Sequence, residues 1–173
     1  MRASSELRQV RDEERGEFLE LELKHEGSVP AVVGEYVALR LKEPVPIPGR
    51  PHTVGVWVKG DSSWGRVNWE VEDARGERWR SSKDSDGGDW GNQSALDFDG
   101  WRFVTFPLTR ESPMQHVEPG AGLGQRQGDS GGKLDYPLKF TDLYIETHRQ
   151  SLNLTKMVPV KGLIRLQDLS VVE

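Results

Sequence analysis

The chain has no cysteine among its 173 residues. Disulfides, thiolate zinc sites and a cysteine nucleophile are therefore excluded, and a domain of this length does not need cross-links to hold a core. No stretch approaches 18 consecutive apolar residues, so no helical membrane span is expected. Basic charge is not in excess: 23 Lys and Arg stand against 28 Asp and Glu, a formal net charge of −5. A nucleic-acid partner is not expected on that balance, because such proteins use a basic face to displace phosphate counterions. The first residues, MRASSELRQVRDEERG, lack the apolar core of a secretory signal. Helical periodicity is nearly missing as well. Only Ser4 to Arg15 could form a helical turn, and its charges leave no apolar stripe to dock. Residues 1–16 thus read as a charged lead-in or linker before a single domain over 17–173.

What is present is alternation. Leu19, Leu21 and Leu23 alternate with Glu20, Glu22 and Lys24, the pattern of a half-buried strand. The same period recurs at Val37-Leu39-Leu41, Val54-Val56-Val58, Val67-Trp69-Val71 and Leu143-Ile145-Thr147. Pro44, Pro46, Pro48 and Gly49 predict an irregular or edge segment. Arg75-Gly76 reads as a hairpin turn, residues 82–92 as a polar loop, and 109–136 as a long glycine-rich loop. Some eight short strands with turn signals between them predict an all-β fold, a two-sheet antiparallel β-sandwich or jelly roll.

Six tryptophans are more than a core of this size normally uses. Trp69 belongs to the apolar set of its strand, and Trp101 opens a strand. With the valines inward, Trp57 and Lys59 point outward, as do Asn68, Glu70 and Glu72. Phe103, Tyr144, Glu146 and His148 follow by the same rule. A solvated sheet face ordinarily carries Thr, Lys and Glu, whereas this one mixes rings with hydrogen-bonding groups. A sugar presents both an apolar C–H face and a ring of hydroxyls, which rings and polar side chains satisfy in turn. Trp57, Asn68, Glu70, Tyr144, Glu146 and His148 are therefore candidate carbohydrate-binding residues on one side of the molecule. Trp64 and Trp90, in polar loops, are further candidates. The competing reading covers these rings with loops as a satellite core. The loop from Asp84 through Asp86 to Asp89 sets carboxylates beside glycines, which suits a calcium ion, though a solvated acidic loop has the same composition.

Catalytic patterns are sparse. Glu70-Val-Glu72-Asp73 is followed by Ala74 and Arg75 where a jelly-roll glycosidase would place its further acid. Glu70 and Glu146, if close, could form a carboxylate pair. There is no Gly-x-Ser-x-Gly elbow, and Gly120-Ala-Gly122-Leu-Gly124 precedes no helix. The chain is expected not to be an enzyme.

Four segments carry a family resemblance: VGVWVKGDSSWGRVNWEVEDARGERW at 54–79, FDGWRFVTFPL at 98–108, KFTDLYIET at 139–147 and IRLQDLSVV at 164–172. Together they resemble the galactose-binding-like β-sandwich superfamily, and within it the carbohydrate-binding modules appended to bacterial polysaccharide-degrading enzymes. The resemblance implies a non-catalytic module that binds a polysaccharide or oligosaccharide and keeps a neighbouring catalytic domain near it. It also implies an extracellular or periplasmic location within a secreted protein, the export signal lying outside these residues. Such modules often carry a structural calcium between first and last strands, a role that would fall here to Glu20 or Glu22 with Asp168. Other members are purely structural domains of larger glycoside hydrolases, which is the rival expectation.

Overall fold

The computed structural model describes residues 4–24, 35–61, 66–80, 96, 98–108, 115–117, 134–147 and 163–172. Ten strands form among them: β1 (Ser4–Asp12), β2 (Gly16–Lys24), β3 (Glu35–Ile47), β4 (Thr53–Asp61), β5 (Arg66–Glu72), β6 (Arg78–Arg80), β7 (Asp99–Pro107), β8 (Gln115–Val117), β9 (Leu138–Thr147) and β10 (Leu163–Val172). They build two five-stranded sheets, ordered β1-β2-β10-β4-β7 and β3-β9-β5-β6-β8. Every pairing is antiparallel. This is the expected all-β sandwich, and no helix forms among the described residues.

The alternating residues make the core. Val54, Val56 and Val58 of β4 meet Val67, Trp69 and Val71 of β5 within one buried cluster, with Leu143 and Ile145 of β9 and Ile164 and Leu166 of β10. Trp69 sits at its centre, edge-on to Phe106 and Phe140 at centroid distances of 5.0 and 4.8 Å. Trp79, whose role the sequence leaves open, is also core, at 2% exposed.

The expected lead-in is a strand instead. Residues Ser4 to Asp12 pair with β2 along its whole length, from Ser4 opposite Lys24 to Asp12 opposite Gly16. The turn between them is closed by Asp12, whose carboxylate accepts the N–H groups of Glu14 and Arg15 at 3.1 and 2.6 Å. The strand carries only scattered apolar residues because it is an edge. It alternates charges that meet charges on β2: Arg8 lies 3.2 Å from Glu20 and 3.1 Å from Glu22. A helical reading fails because no apolar stripe is needed for a ladder of cross-strand ion pairs.

The proline-rich stretch lies at the other sheet's edge, as expected. There β3 loses register with β9 between Arg40 and Val45. On the facing sheet β10 breaks register with β4 between Gln167 and Ser170, where Asp168 takes φ +49°. Bulges of this kind bend a strand and redirect its side chains.

Candidate functional site

The facing of each strand agrees with its alternation, yet the expected single binding side does not form. Trp57 lies on β4, in the first sheet, while Asn68, Glu70 and Tyr144 lie on β5 and β9, in the second. The outer faces of the two sheets look away from each other across the core. Alternation reports which side of its own sheet a residue occupies, whereas sheet membership is set by pairing between distant strands. Residues read as neighbours therefore sit on opposite surfaces.

On the second sheet the outer face is a lattice of ions. Opposite one another in the ladder stand Glu70 and Asp142, with Arg40 beside Asp142 and Arg80 beside Glu70. Glu70 Oε2 accepts from Arg80 Nη2 at 2.7 Å, and Oε1 from Arg78 Nη1 at 3.0 Å. The same Arg78 nitrogen lies 3.5 Å from Asp142 Oδ2, and Arg40 Nε donates to Asp142 Oδ1 at 2.7 Å. Glu70, Asp142 and Arg80 are buried, whereas the Arg40 and Arg78 side chains are 67% and 36% exposed. Thr141 donates to the Glu70 carbonyl at 3.0 Å, at the point where β5 and β9 shift register.

Tyr144 belongs to this lattice and not to an open platform. It is 4% exposed, and the Arg80 guanidinium lies 4.2 Å from its ring centroid. Burial, then the charge of Glu70, pushes its phenol above the ordinary tyrosine value against the lowering influence of Arg80. It is thus a neutral hydroxyl at physiological pH. Asn68, buried, stands opposite it. The sheet-outward position is as expected for Asn68, Glu70 and Tyr144; the stacking surface expected of Tyr144 is taken by Arg80. Arg40, Arg78, Arg80 and Asp142 were not singled out from sequence. A signal was available: Asp142 precedes Tyr144 by two, and Arg78 and Arg80 flank core Trp79.

The first sheet's outer face is aromatic. Trp57 tilts against Phe103 at 5.6 Å, and Phe18 meets Trp101 edge-on at 5.6 Å. A close approach makes this possible: a Cβ at Gly55 would fall 2.5 Å from the Phe103 ring. Arg15, from the β1–β2 turn, lies 4.7 Å from the Trp57 centroid and 5.1 Å from that of Trp101. Trp57 is half-buried, and its partners join the hairpin turn to β4 and β7.

Two further expectations concern the Glu70–Glu146 pair and the calcium set. Glu146 stands opposite Arg66 while Glu70 stands opposite Asp142, with no register shift between. Their backbone positions are four residues apart along the ladder, about 13 Å. Both Glu70 oxygens are moreover held by guanidinium groups. The calcium set does not gather either. Glu20 is bridged by Arg8 and Arg165, the latter at 2.8 Å, and Glu22 by Arg8. Asp168 is exposed and three residues along β10 from Arg165, which pairs with Glu20. No group of three or more potential ligands forms among the described residues. Trp64, Trp90, His148 and the loop from Asp84 to Asp89 lie outside the described residues, as does the Glu146 side chain.

No protein-family model matches the chain. No curated protein matches it either. Among solved structures it is similar to the family 11 carbohydrate-binding module of the cellulosomal cellulase Lic26A-Cel5E of Clostridium thermocellum, with a TM-score of 0.52. The two are 11% identical, and the match covers 98% of this chain and 82% of that one. At that identity the likeness is one of fold.

Proposed function

We propose that this chain is a non-catalytic carbohydrate-binding module whose binding surface is the acid–guanidinium face of the β3-β9-β5-β6-β8 sheet. The observation that carries the reading is the set of fixed ions there. Glu70, Asp142 and Arg80 are buried, with Arg40 and Arg78 bridging from them to solvent. Neighbouring hydroxyls of a sugar offer paired donors and acceptors, which planar guanidinium and carboxylate groups match two at a time. Ion pairs already in place need little ordering when the ligand arrives. The shared fold with a module of a cellulase supports the same reading. The module would hold an attached enzyme against its polysaccharide, within a secreted protein acting outside the cytoplasm.

A panel of polysaccharides and oligosaccharides presented to the isolated chain tests this. Retention of at least one glycan, with no release of product, is expected. A protein that retains none across the panel is instead a structural sandwich domain.

A further inference from the structure

We propose that the space between the two sheets is a second binding site, for a small amphiphile with a hydrocarbon body and an uncharged or cationic head. A cavity of about 340 Å³ opens at the side of the sandwich where β1, β2 and β10 face β3 and β9. Its floor is Val56, Trp69 and Phe140, all buried. Four large apolar residues are exposed among those described: Leu7, Leu19, Val45 and Leu169. Three of them line this cavity. The fourth, Leu7, stands opposite core residue Leu21 on the same inner face of the β1–β2 hairpin. Half-exposed aliphatic groups gathered at one opening mark a place where something apolar is bound.

The opening is built by the chain's irregularities. The β3 bulge between Arg40 and Val45 and the β10 bulge between Gln167 and Ser170 lie on its two walls, one in each sheet. The second carries Asp168 at φ +49°, a left-handed conformation uncommon outside glycine, and sets Asp168 and Leu169 at the cavity.

The occupant's chemistry follows from the lining. The volume falls within the range of small-molecule sites, about 300–1,000 Å³. The polar groups are confined to one end. Gln9 and Glu17 are hydrogen-bonded at 3.0 Å on the hairpin's inner face, and Gln167 and Asp168 join them in the lining from the neighbouring strand β10. Arg11 stands opposite Glu17 in the ladder but outside the lining. Two carboxylates at the head end disfavour a carboxylate or phosphate ligand. This site is independent of the glycan face, which lies on the outer side of the second sheet.

Octylammonium, octanol and octanoate serve as probes, followed through tryptophan fluorescence and melting temperature. Wild-type protein should bind the first two saturably and octanoate at least about tenfold more weakly. Leu39→Trp, which fills the cavity from β3, should abolish binding of all three while leaving glycan retention intact. Should that variant not fold, Glu17→Gln with Asp168→Asn decides the matter by bringing octanoate to within about threefold of octylammonium; an unchanged preference would overturn the assignment of the head end. No saturable binding by the wild type, or full binding by a folded Leu39→Trp, overturns the site. Octanoate bound as tightly as octylammonium by the wild type overturns the head preference.

Discussion

Asp73 is 3% exposed, and its carboxylate accepts from three donors: the N–H groups of Arg75 and Glu77 at 2.9 and 3.0 Å and the Trp79 indole at 3.1 Å. Burial alone would raise its pKa, but the hydrogen bonds from Glu77, Trp79 and Arg75 outweigh it and hold the carboxyl below the usual aspartate range. Gly76, at φ +78°, completes the turn from β5 to β6 by donating to the Asp73 carbonyl at 3.0 Å. A carboxyl depressed in the folded state stabilises fully above its unfolded value, about pH 4, and the contribution is lost as pH falls through its folded value. Acid titration of the melting temperature should therefore show a loss below about pH 4 that Asp73→Asn flattens. An identical acid limb in the variant would remove Asp73 from that role. Trp57 and Trp69, on consecutive strands in different sheets, offer a second contrast. Trp69→Ala should cost roughly 3–5 kcal/mol in chemical denaturation, as a large core aromatic does. Trp57→Ala, removing a half-buried ring from an outer face, should cost clearly less. Equal losses would put both rings inside.

The β1–β2 hairpin is the element that alternation reveals only by half, through β2. Its first strand is charged, and an edge strand buries too little on either face to leave a period. What holds it is visible only once β2 and β10 lie beside it: Glu20 between Arg8 and Arg165, and Arg15 reaching across to Trp57 and Trp101. Removing residues 1–12 should thus lower the melting temperature by about 4 °C or more; a truncated protein that melts like the whole would make this segment the linker its composition resembles. The central strands were legible for the opposite reason. Val54 to Val58, Val67 to Val71 and Leu143 to Ile145 each bury one full face, so period two is enforced. The candidate site was legible in part. Alternation placed Asn68, Glu70 and Tyr144 outward, but the guanidinium partners that bury them come from β3 and β6, and no local pattern states that pairing. For Trp57 alternation gives the correct face of its strand but not its sheet, which pairing between distant strands decides.

At the scale of the molecule, the described residues present three distinct surfaces for chemistry: an ionic outer face, an aromatic outer face and an apolar opening between the sheets. The aromatic face is engaged by the chain's own Arg15, and the opening is too apolar for a polysaccharide. The proposed glycan site is the ionic face, and its separation from Trp57 by the whole thickness of the core makes the proposal easy to test. The decisive measurement is the affinity of a retained glycan for the wild type, Arg40→Ala and Trp57→Ala side by side. Arg40 is itself exposed, but its loss leaves buried Asp142 with the Arg78 contact at 3.5 Å, so the melting temperature of the variant is measured first and binding is compared on folded protein. Arg40→Ala should weaken binding by about tenfold or more, the loss of one charge-assisted contact, with Trp57→Ala binding as the wild type does. Undiminished binding by Arg40→Ala, with binding abolished in a folded Trp57→Ala, would contradict the account and move the site to the opposite face.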